Sequence, residues 1–266
     1  MDLIRVDSID DQRVAVYREL HRRDLIRRSG LFIVEGQLLV ERLLASSFEA
    51  HSILVDERRL STLPESAAGK SVFVAEAGLL EEIVGFNFHR GVLACGYRRT
   101  PLAIASLTDV FGETALVVLC VDVQDPTNLG TILRNSAAFG VDAVIVTRQC
   151  ADPFSRRVVR VSMGAALKLP IVESDNIQQC FLELREQHRF ELIATVVEGG
   201  MPLETAKRTK RTALMIGNEA HGLPDDIVSL ADRGVTIPMQ LQTDSLNVSV
   251  ATGVMLYHFT RVAVTE

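Results

Sequence analysis

Three short segments of the 266-residue chain place polar side chains and glycine or proline directly after apolar runs. The first, VDVQDPTNLGTILR, contains Asn128 and Arg134. The second, ALMIGNEAHGLPDDI, contains Glu219, and the third, TIPMQLQTDSLNVSV, contains Ser245 and Asn247. Amide, hydroxyl and carboxylate groups can orient a polar substrate, and a fixed guanidinium stabilises negative charge that develops during a reaction. These five residues are therefore the candidate functional residues of the three segments.

Most of these residues also have a structural interpretation. Asn128 and Ser245 are typical helix N-caps, and Glu219 would be favourable near the start of a helix. Arg134 is harder to explain in this way, because its helix is expected to face an apolar sheet, where an unpaired guanidinium is costly. Asn247 is predicted to lie one turn inside a helix, where asparagine is unfavourable, and this position favours a tertiary contact.

Several other kinds of chemistry lack support. The sequence has no G-x-G-x-x-G after a strand, no P-loop, no H-E-x-x-H and no G-x-S-x-G, which disfavours dinucleotide, nucleoside triphosphate, zinc-protease and serine-hydrolase sites. The four cysteines, at positions 95, 120, 150 and 180, are far apart and have no neighbouring histidines. We therefore expect reduced core thiols, with no disulfide and no metal site.

Composition indicates a globular protein that stays in the cytoplasm. Hydrophobic residues make up 47% of the chain and charged residues 23%, the usual balance of a globular domain. No apolar run reaches the roughly 18 residues of a membrane-spanning helix, and the acidic start does not resemble a targeting signal. The net charge of -6 is not typical of a nucleic-acid-binding protein. Net charge does not decide the matter, because binding depends on where the charges lie.

The candidate residues must be positioned by an α/β fold. ALVVLCVDV (115–123) and AVIVT (143–147) are apolar at consecutive positions, as expected of parallel strands that are buried on both faces. Further strands are predicted at 192–197, 213–216 and 235–237, and helices at 177–188 and 246–261. Ligands of parallel sheets lie beyond the carboxyl ends of the strands. We therefore expect the three polar segments to lie at one edge of such a sheet.

The first half of the chain predicts a smaller α/β domain. Strands are expected within 31–34, 52–57, 71–76 and 93–97, and a helix within 36–45. The predicted domains are 1–98 and 114–266, joined by a linker at 99–113. Residues 13–28 contain six arginines against two acids, and a solvated amphipathic helix is one interpretation of this segment.

Taken together, the three polar segments resemble the motifs of the SpoU (TrmH) family of RNA 2′-O-ribose methyltransferases, in the SPOUT superfamily. The similar residues are Asp125-Pro126-x-Asn128-Leu129-Gly130 with Arg134, then Ile216-Gly217-Asn218-Glu219 with Gly222-Leu223, then Ile237-Pro238-Met239 with Ser245-Leu246-Asn247-Val248-Ser249-Val250-Ala251.

Shorter segments extend the resemblance. Ser162-Met163-Gly164-Ala165 is similar to the family's sequence between its first and second motifs. Phe32-Ile33-Val34-Glu35-Gly36 and His89-Arg90-Gly91-Val92 resemble a ribosomal-protein-like RNA-binding domain that many members carry, although members often have glutamine at the position of Arg90.

The resemblance implies a fold, a cofactor and an assembly. The second domain would be a parallel-sheet SPOUT domain with a deep trefoil knot, an exception to the general avoidance of knots. It would bind S-adenosylmethionine and form a homodimer. The implied cofactor contacts are Gly217, Ile237 and Leu246, with Thr195 and Met239 as weaker candidates.

The resemblance also implies that the five candidate functional residues form a catalytic set for methyl transfer. Orientation alone contributes up to roughly 7–11 kcal/mol to a displacement of this kind. A guanidinium, with a pKa above about 12, does not normally give up its proton in a protein, so we expect Arg134 to stabilise the developing alkoxide or to hold the adjacent phosphate. Asn128, Glu219, Ser245 and Asn247 would orient Arg134 and the ribose.

RNA binding would fall to local positive charge, whatever the total. The candidate contacts are Arg18, Arg22, Arg23 and Arg27 at the start of the chain, with Arg157 and Arg160 as a second patch. The N-terminal domain favours 23S ribosomal RNA as the substrate over tRNA. Two further alternatives are a non-catalytic RNA-binding or ribosome-assembly factor on the same fold, and an unrelated small-molecule enzyme.

Overall fold

A computed structural model describes residues 1–18, 29–241, 244–262 and 264–265 of the chain. The chain divides into two compact units, one formed by 1–100 with 154–167 and the other by 101–153 with 168–266. Each unit has its own sheet.

The first unit contains a five-stranded mixed sheet. Its strands are β1 (Asp2–Arg5), β2 (Leu31–Glu35), β3 (Ala50–Asp56), β4 (Ser71–Ala75) and β5 (Val92–Tyr97), and its longer helices are α1 (Gln37–Leu44) and α2 (Ala77–Val84). The strand order is β1-β4-β3-β5-β2, in which β5 runs antiparallel to both β2 and β3. The carboxyl ends of β2 and β3 therefore lie at the same edge as the start of β5.

The apolar pattern of the first half accounts for the core of this unit. Ile33, Leu54 and Leu93, from three neighbouring strands, are buried together with Tyr17. The hydroxyl group of Tyr17 forms a 2.8 Å hydrogen bond with that of Ser52. Tyr17 ends a 3₁₀ helix at 12–17, within the segment for which an amphipathic helix was one interpretation. Residues 19–28, with the candidates Arg22, Arg23 and Arg27, lie outside the described part of the chain.

The second unit contains a seven-stranded sheet in which every strand pairing is parallel. Its order is β10-β13-β9-β12-β6-β7-β8, and a small two-stranded sheet pairs β11 with β14. The strands are β6 (Ala115–Cys120), β7 (Ala143–Thr147), β8 (Ile171–Ser174), β9 (Glu191–Thr195), β10 (Met201–Pro202), β11 (Arg208–Thr209), β12 (Arg211–Ile216), β13 (Arg233–Thr236) and β14 (Val264–Thr265). The parallel α/β architecture predicted for the C-terminal half is thereby confirmed.

Helices connect several strands of this sheet, because parallel neighbours need a crossover connection. They are α3 (Pro126–Ala138) between β6 and β7, α5 (Ile177–Leu182) between β8 and β9, and α6 (Asp225–Val228) between β12 and β13, whereas α7 (Val248–Phe259) follows β13. A π-helical turn at 183–187 continues α5.

The centre of the sheet brings two of the polar segments together. β6 and β12 are neighbours, and Cys120 pairs with Ile216 at the end of their ladder. Because both strands run in the same direction, the loops that follow them leave the sheet side by side. All six residues of β6 are buried, which confirms the prediction that this strand is covered on both faces.

Residues 154–167 are covalently continuous with the second unit but pack with the first. They include helix α4 (Arg156–Val161). The ring of Phe154 lies 5.7 Å from that of Phe32 and 5.5 Å from that of Phe48, between centroids. Arg42 donates a hydrogen bond to the carbonyl oxygen of Met163. This segment falls within 114–266, the range predicted for the second domain.

Within the described ranges, no helix combines the length and apolar character that crossing a membrane would need.

Truncation of Leu214 to alanine is expected to destabilise the second unit. Leu214 is fully buried and lies between Ile193 of β9 and Val118 of β6, so Leu214→Ala should lower the free energy of unfolding by about 2–5 kcal/mol. The control is Leu182→Ala, because this leucine is 50% exposed in the same unit and its loss should change stability by less than about 0.5 kcal/mol. Chemical denaturation measures both values, and equal values would contradict the placement of Leu214.

Candidate active site

The carboxylate of Glu219 connects the loops that follow β6 and β12. One oxygen, Oε1, accepts hydrogen bonds from the backbone N–H of Asp125 at 2.9 Å and from Nδ2 of Asn128 at 3.1 Å. The other, Oε2, accepts from the backbone N–H of Gln124 at 3.2 Å. Two backbone amides just before α3 and one side-chain amide in its first turn thus hold a side chain from a different strand end. The alternative interpretation placed Glu219 at the start of the helix that follows it, whereas its carboxylate contacts the start of α3.

These contacts change the acidity of Glu219. Burial raises the pKa of this carboxyl, but the hydrogen bonds from Asn128 and from backbone amides outweigh burial, and the resulting pKa lies below its ordinary value. Hydrogen bonds to the ionised form act in this direction. A carboxylate that already accepts three hydrogen bonds is a poor proton acceptor, so its contribution to the site is positional.

Asn128 and Asn247 extend the contact to the third segment. Oδ1 of Asn128 accepts a 3.0 Å hydrogen bond from Nδ2 of Asn247. Oδ1 of Asn247 in turn accepts from the backbone N–H of Ser249 at 2.9 Å and that of Val250 at 3.4 Å, at the start of α7. Glu219, Asn128 and Asn247 therefore form one directed chain across three strand-to-helix segments.

Two helix caps differ from those predicted. The N-cap of α3 is Asp125, whose side chain accepts from the N–H of Thr127, with Pro126 in the first helical turn. Asn128 lies inside this helix and is 9% exposed, so its amide is available for Glu219 and Asn247. The N-cap of α7 is Asn247 itself, and Ser245 lies two residues before it. The expectation that Asn247 lies one turn inside the helix was wrong, whereas the expected tertiary contact is present.

A second group of contacts stabilises the loop after β6. Asp122 has a φ angle of +57°, a left-handed conformation that is unfavourable for most side chains. The hydroxyl of Thr147 donates to Oδ1 of Asp122 at 2.9 Å and accepts from its backbone N–H at 3.0 Å. Nδ2 of Asn218 donates to the carbonyl oxygen of Asp122 at 2.9 Å. Asp122, Thr147 and Asn218 were not among the predicted site residues, because their contribution depends on hydrogen bonds between residues far apart in the sequence.

Gly217 allows a tight turn beside this loop. Asn218 and Gly222 exchange two backbone hydrogen bonds of 2.9 Å. A Cβ atom on residue 217 would lie 2.2 Å from the carbonyl carbon of Gly222 and 2.3 Å from the nitrogen of Leu223. Because both neighbours are backbone atoms, only glycine fits at position 217.

A cavity of about 260 Å³ lies beside the turn. Its walls are mainly apolar side chains and backbone, from the ends of β9, β12 and β13 and the start of α7. All five candidate cofactor contacts line it, as do two members of the catalytic set: Thr195, Gly217, Ile237, Met239 and Leu246, with Glu219 and Ser245.

A second, more polar cavity of about 430 Å³ lies next to the first. Gln124, Asp125 and Asn128 line it, and Asn218, Glu219, Ala220 and His221 line both cavities. The carboxylate of Glu219 therefore lies where an apolar cavity meets a polar one, an arrangement suited to holding one ligand against another.

Arg134 is not part of this hydrogen-bonded chain. It is exposed on α3, and no ion pair or hydrogen bond joins its guanidinium to another described residue. The prediction that Arg134 faces the apolar sheet was wrong, because the buried positions of α3 are those of Leu129, Ile132 and Leu133.

The candidate RNA contacts that the structure describes lie in the first unit. Arg18 donates to the carbonyl oxygen of Asp11 at 2.9 Å. Arg157 is exposed on α4. Arg160 lies 3.6 Å from Oε2 of Glu35 in an ion pair.

Replacement of Glu219 by glutamine should reduce stability in a pH-dependent way. Glutamine loses the charge and turns an N–H group toward backbone donors. At neutral pH the free energy of unfolding of Glu219→Gln should therefore be about 1 kcal/mol lower than that of the wild type. The difference is small because the side chain is largely exposed. A depressed pKa in the folded state means that this contribution is present above about pH 4.3, the value for an unfolded chain, and is lost as the pH falls through the folded pKa. The difference between wild type and variant should therefore shrink in acid.

Thermal or chemical unfolding at several pH values measures this effect. Glu204→Gln is the matched control, because Glu204 is exposed in the same unit. Equal stabilities of wild type and Glu219→Gln at neutral pH would show that the three hydrogen bonds do not hold the loops together.

Comparison with known proteins places this geometry in a family. Residues 115–257 match the family model described as the SpoU rRNA Methylase family. An uncharacterized tRNA/rRNA methyltransferase of Mycobacterium bovis is 37% identical over 271 residues, which cover 98% of this chain and 93% of the relative. A 23S rRNA guanosine 2′-O-methyltransferase of Bacillus subtilis is 30% identical over 259 residues, covering 96% and 98%.

Solved structures of similar proteins have the same fold over almost the whole chain. An AdoMet-bound rRNA methyltransferase from Sinorhizobium meliloti has a TM-score of 0.80 at 26% identity, covering 96% of this chain and 97% of that one. The SpoU methyltransferase AviRb from Streptomyces viridochromogenes, in complex with AdoMet, also has a TM-score of 0.80 at 26% identity, covering 94% and 97%. The resemblance of the three motifs is confirmed, and the chain belongs to the SpoU rRNA methylase family.

Proposed function

We propose that this protein transfers the methyl group of S-adenosylmethionine to a ribose 2′-hydroxyl of 23S ribosomal RNA in the cytoplasm. The observation that carries the proposal is the chain from Glu219 through Asn128 to Asn247 at the junction of two cavities. Family membership and the 23S rRNA 2′-O-methyltransferases among the relatives support the same substrate.

The apolar cavity fits the proposed cofactor. S-adenosylmethionine supplies an activated methyl group on a positively charged sulfur, beside an aromatic base. The cavity offers the apolar side chains of Ile237, Met239 and Leu246 and the close backbone at Gly217. Glu219 is the carboxylate on its wall, and a carboxylate favours a nearby positive charge. Thr195, whose hydroxyl donates to the carbonyl oxygen of Met215 at 2.8 Å, closes another side.

The polar cavity is the proposed site of the ribose. Asn128 and Asn247 each have two amide N–H donors, and the chain of hydrogen bonds uses one donor of each. The remaining donors can hold sugar oxygens, and the exposed Ser245 adds a hydroxyl on the wall of the adjoining apolar cavity. Because both amides are already oriented, little freedom is lost when the ribose binds.

Arg134 supplies the cation of the proposed site, and we place it across a homodimer interface. The surface between α3 and α7 is a groove lined by Thr131 and Asn135 with Gly253. Val250, Val254 and Tyr257 of α7 also line this groove, and they are 52%, 40% and 59% exposed. Burial of this apolar face against a second copy would bring the exposed arginine of α3 to the partner. There its guanidinium would bind the adjacent phosphate and stabilise the developing alkoxide.

The same proposal includes a deep trefoil knot in the second unit. It divides the chain into a first domain at 1–98, a linker at 99–113 and a methyltransferase domain at 114–266. The first domain would be ribosomal-protein-like and would bind RNA. The five-stranded sheet of the first unit, with its own buried core, supports a separate domain.

The direct test is methyl transfer to RNA. Purified protein is incubated with S-adenosylmethionine and unmodified 23S rRNA, and 2′-O-methyl positions are then mapped at nucleotide resolution. One new site is expected in 23S rRNA. If tRNA is offered as well and only tRNA is methylated, the proposed substrate is wrong and tRNA takes its place. Binding of RNA without any methyl transfer would indicate a non-catalytic assembly factor.

Substitution of Arg134 by lysine should abolish most activity without affecting cofactor binding. Lysine keeps the charge but not the bidentate guanidinium, so Arg134→Lys should reduce methyl transfer about a hundredfold. Isothermal titration should give an unchanged affinity for S-adenosylmethionine. Arg189→Lys, an exposed arginine of the same unit, serves as the control. Wild-type turnover in Arg134→Lys would rule out a specific role for the guanidinium.

A charge placed on the exposed face of α7 should dissociate the proposed dimer. Val254→Glu buries an unpaired carboxylate if this face is an interface, and sedimentation velocity at micromolar concentration should then shift from dimer to monomer. Val110→Glu is the control, since Val110 is 39% exposed in the same unit but lies outside α7. A monomeric wild-type protein would refute the dimer, and with it the shared site.

A further inference from the structure

Three arginines surround one buried carboxylate in the first unit. Glu35, at the end of β2, has a side chain that is only 5% exposed. Its Oε1 lies 3.2 Å from Nε of Arg90, and its Oε2 lies 3.1 Å from Nη1 of Arg156 and 3.6 Å from Nη1 of Arg160. We name these four residues the Glu35 cluster.

The charges of the cluster do not balance. One arginine would neutralise Glu35, as Arg58 does for Asp56 and Arg233 does for Glu191. Three guanidiniums around one carboxylate leave a surplus of two positive charges, and the arginines repel one another. Such a surplus, in a protein with a net charge of -6, favours an anion as a further partner.

The backbone and neighbouring side chains hold the cluster in place. Gly36, with a φ of +97°, leaves room for Arg90, whose Nη1 would lie 3.2 Å from any Cβ atom at position 36. The backbone N–H of Gly36 donates to the carbonyl oxygen of Val92 at 2.9 Å, which fixes the β2 end against the Arg90 turn. The guanidinium of Arg156 lies 4.4 Å from the centroid of the Phe86 ring.

The cluster also remains accessible to a ligand. The side chains of Arg90 and Arg160 are 51% and 41% exposed, whereas that of Arg156 is 26% exposed. Arg156 donates a hydrogen bond to Glu35, Arg90 and Arg160 lie within ion-pair distance of it, and a guanidinium carries five N–H donors. The buried carboxylate of Glu35 is thus surrounded by guanidinium groups that are partly exposed to solvent.

We propose that the Glu35 cluster is a binding site for backbone phosphates of the RNA substrate, with Arg90 and Arg160 as contacts and with Glu35 and Arg156 as positioning residues. The proposal rests on the proposed function for the identity of the substrate. Arginine suits this task because its planar fork matches phosphate oxygens, and prior orientation by Glu35 reduces the rotamer entropy lost on binding. The site adds Arg90 and the role of Glu35 to the contact predicted for Arg160.

The test is the salt dependence of RNA binding by the full-length protein. Filter binding with labelled 23S rRNA is measured between about 50 and 200 mM salt, a range over which phosphate contacts are released. Arg90→Gln and Arg160→Gln should each reduce the slope of log affinity against log salt by about 1, and affinity at about 0.1 M salt by up to about eightfold. Arg160→Lys should keep the slope, because the charge remains.

The matched control is Arg58→Gln, since Arg58 is 71% exposed in the same unit but pairs one-to-one with Asp56. It should leave the slope unchanged. Inorganic phosphate, added at constant ionic strength, distinguishes a site for any free phosphate from one that needs the polymer. Binding of phosphate to the wild-type protein at low millimolar concentration, with no change in its affinity for RNA, would contradict the assignment to RNA.

A purely structural ion-pair cluster would give a different result. Arg90→Gln and Arg160→Gln would then lower the melting temperature while the salt slope stayed at the wild-type value, and this outcome would overturn the proposal. If wild-type protein methylates 23S rRNA but the slopes do not change, the phosphate site alone fails. If the slopes change but no methyl group is transferred, the site stands and the proposed function fails.

Discussion

The candidate site depends on the carboxylate of Glu219, which accepts hydrogen bonds from two backbone amides and one side-chain amide of another loop. Parallel strands bring their carboxyl ends to one edge, but the loops that leave this edge still need a contact that sets their relative position. A single ionised group provides it, because charge-assisted hydrogen bonds are stronger than neutral ones. Asn128 and Asn247 carry the same constraint to α7, so that each helix start depends on a side chain from elsewhere in the chain.

The unfavourable backbone beside this contact has compensating bonds. Asp122 adopts a positive φ and is held by Thr147 and Asn218, and Gly217 accepts a backbone contact that excludes any side chain. Strained residues tend to occur where the surrounding structure determines the conformation and where ligands bind. Gly217 lines the apolar cavity, and Asn218, which holds Asp122, lines both the apolar and the polar cavity. An apolar cavity beside a polar one suits a reaction between a cofactor that carries a positively charged sulfur and a sugar.

The two units use charge in different ways. In the second unit an acid collects neutral donors and acts as a fixed acceptor, whereas in the first unit the acid Glu35 collects three cations. The overall negative charge of the protein therefore says little about where an anionic polymer binds. The segment 154–167, which carries two of these cations, packs with the first unit although it lies between β7 and β8 of the second. The proposed RNA contact Arg160 therefore lies on a segment that is covalently joined to two neighbouring strands of the second unit's sheet.

The sequence by itself determined the parallel sheet and the three segments at its edge, because unbroken apolar runs such as 115–120 are stable only when both faces are covered. The motif residues also identified the family, and the residues proposed for the cofactor line one cavity. Only the tertiary structure decided that Asp125 and Asn247, not Asn128 and Ser245, cap their helices, that Arg134 faces outward, and that 154–167 joins the first unit. A helix that begins one or two residues earlier or later has a different N-cap residue. The direction of a side chain depends on which face of the helix is buried. Periodicity limits these outcomes but long-range packing and hydrogen bonding select among them.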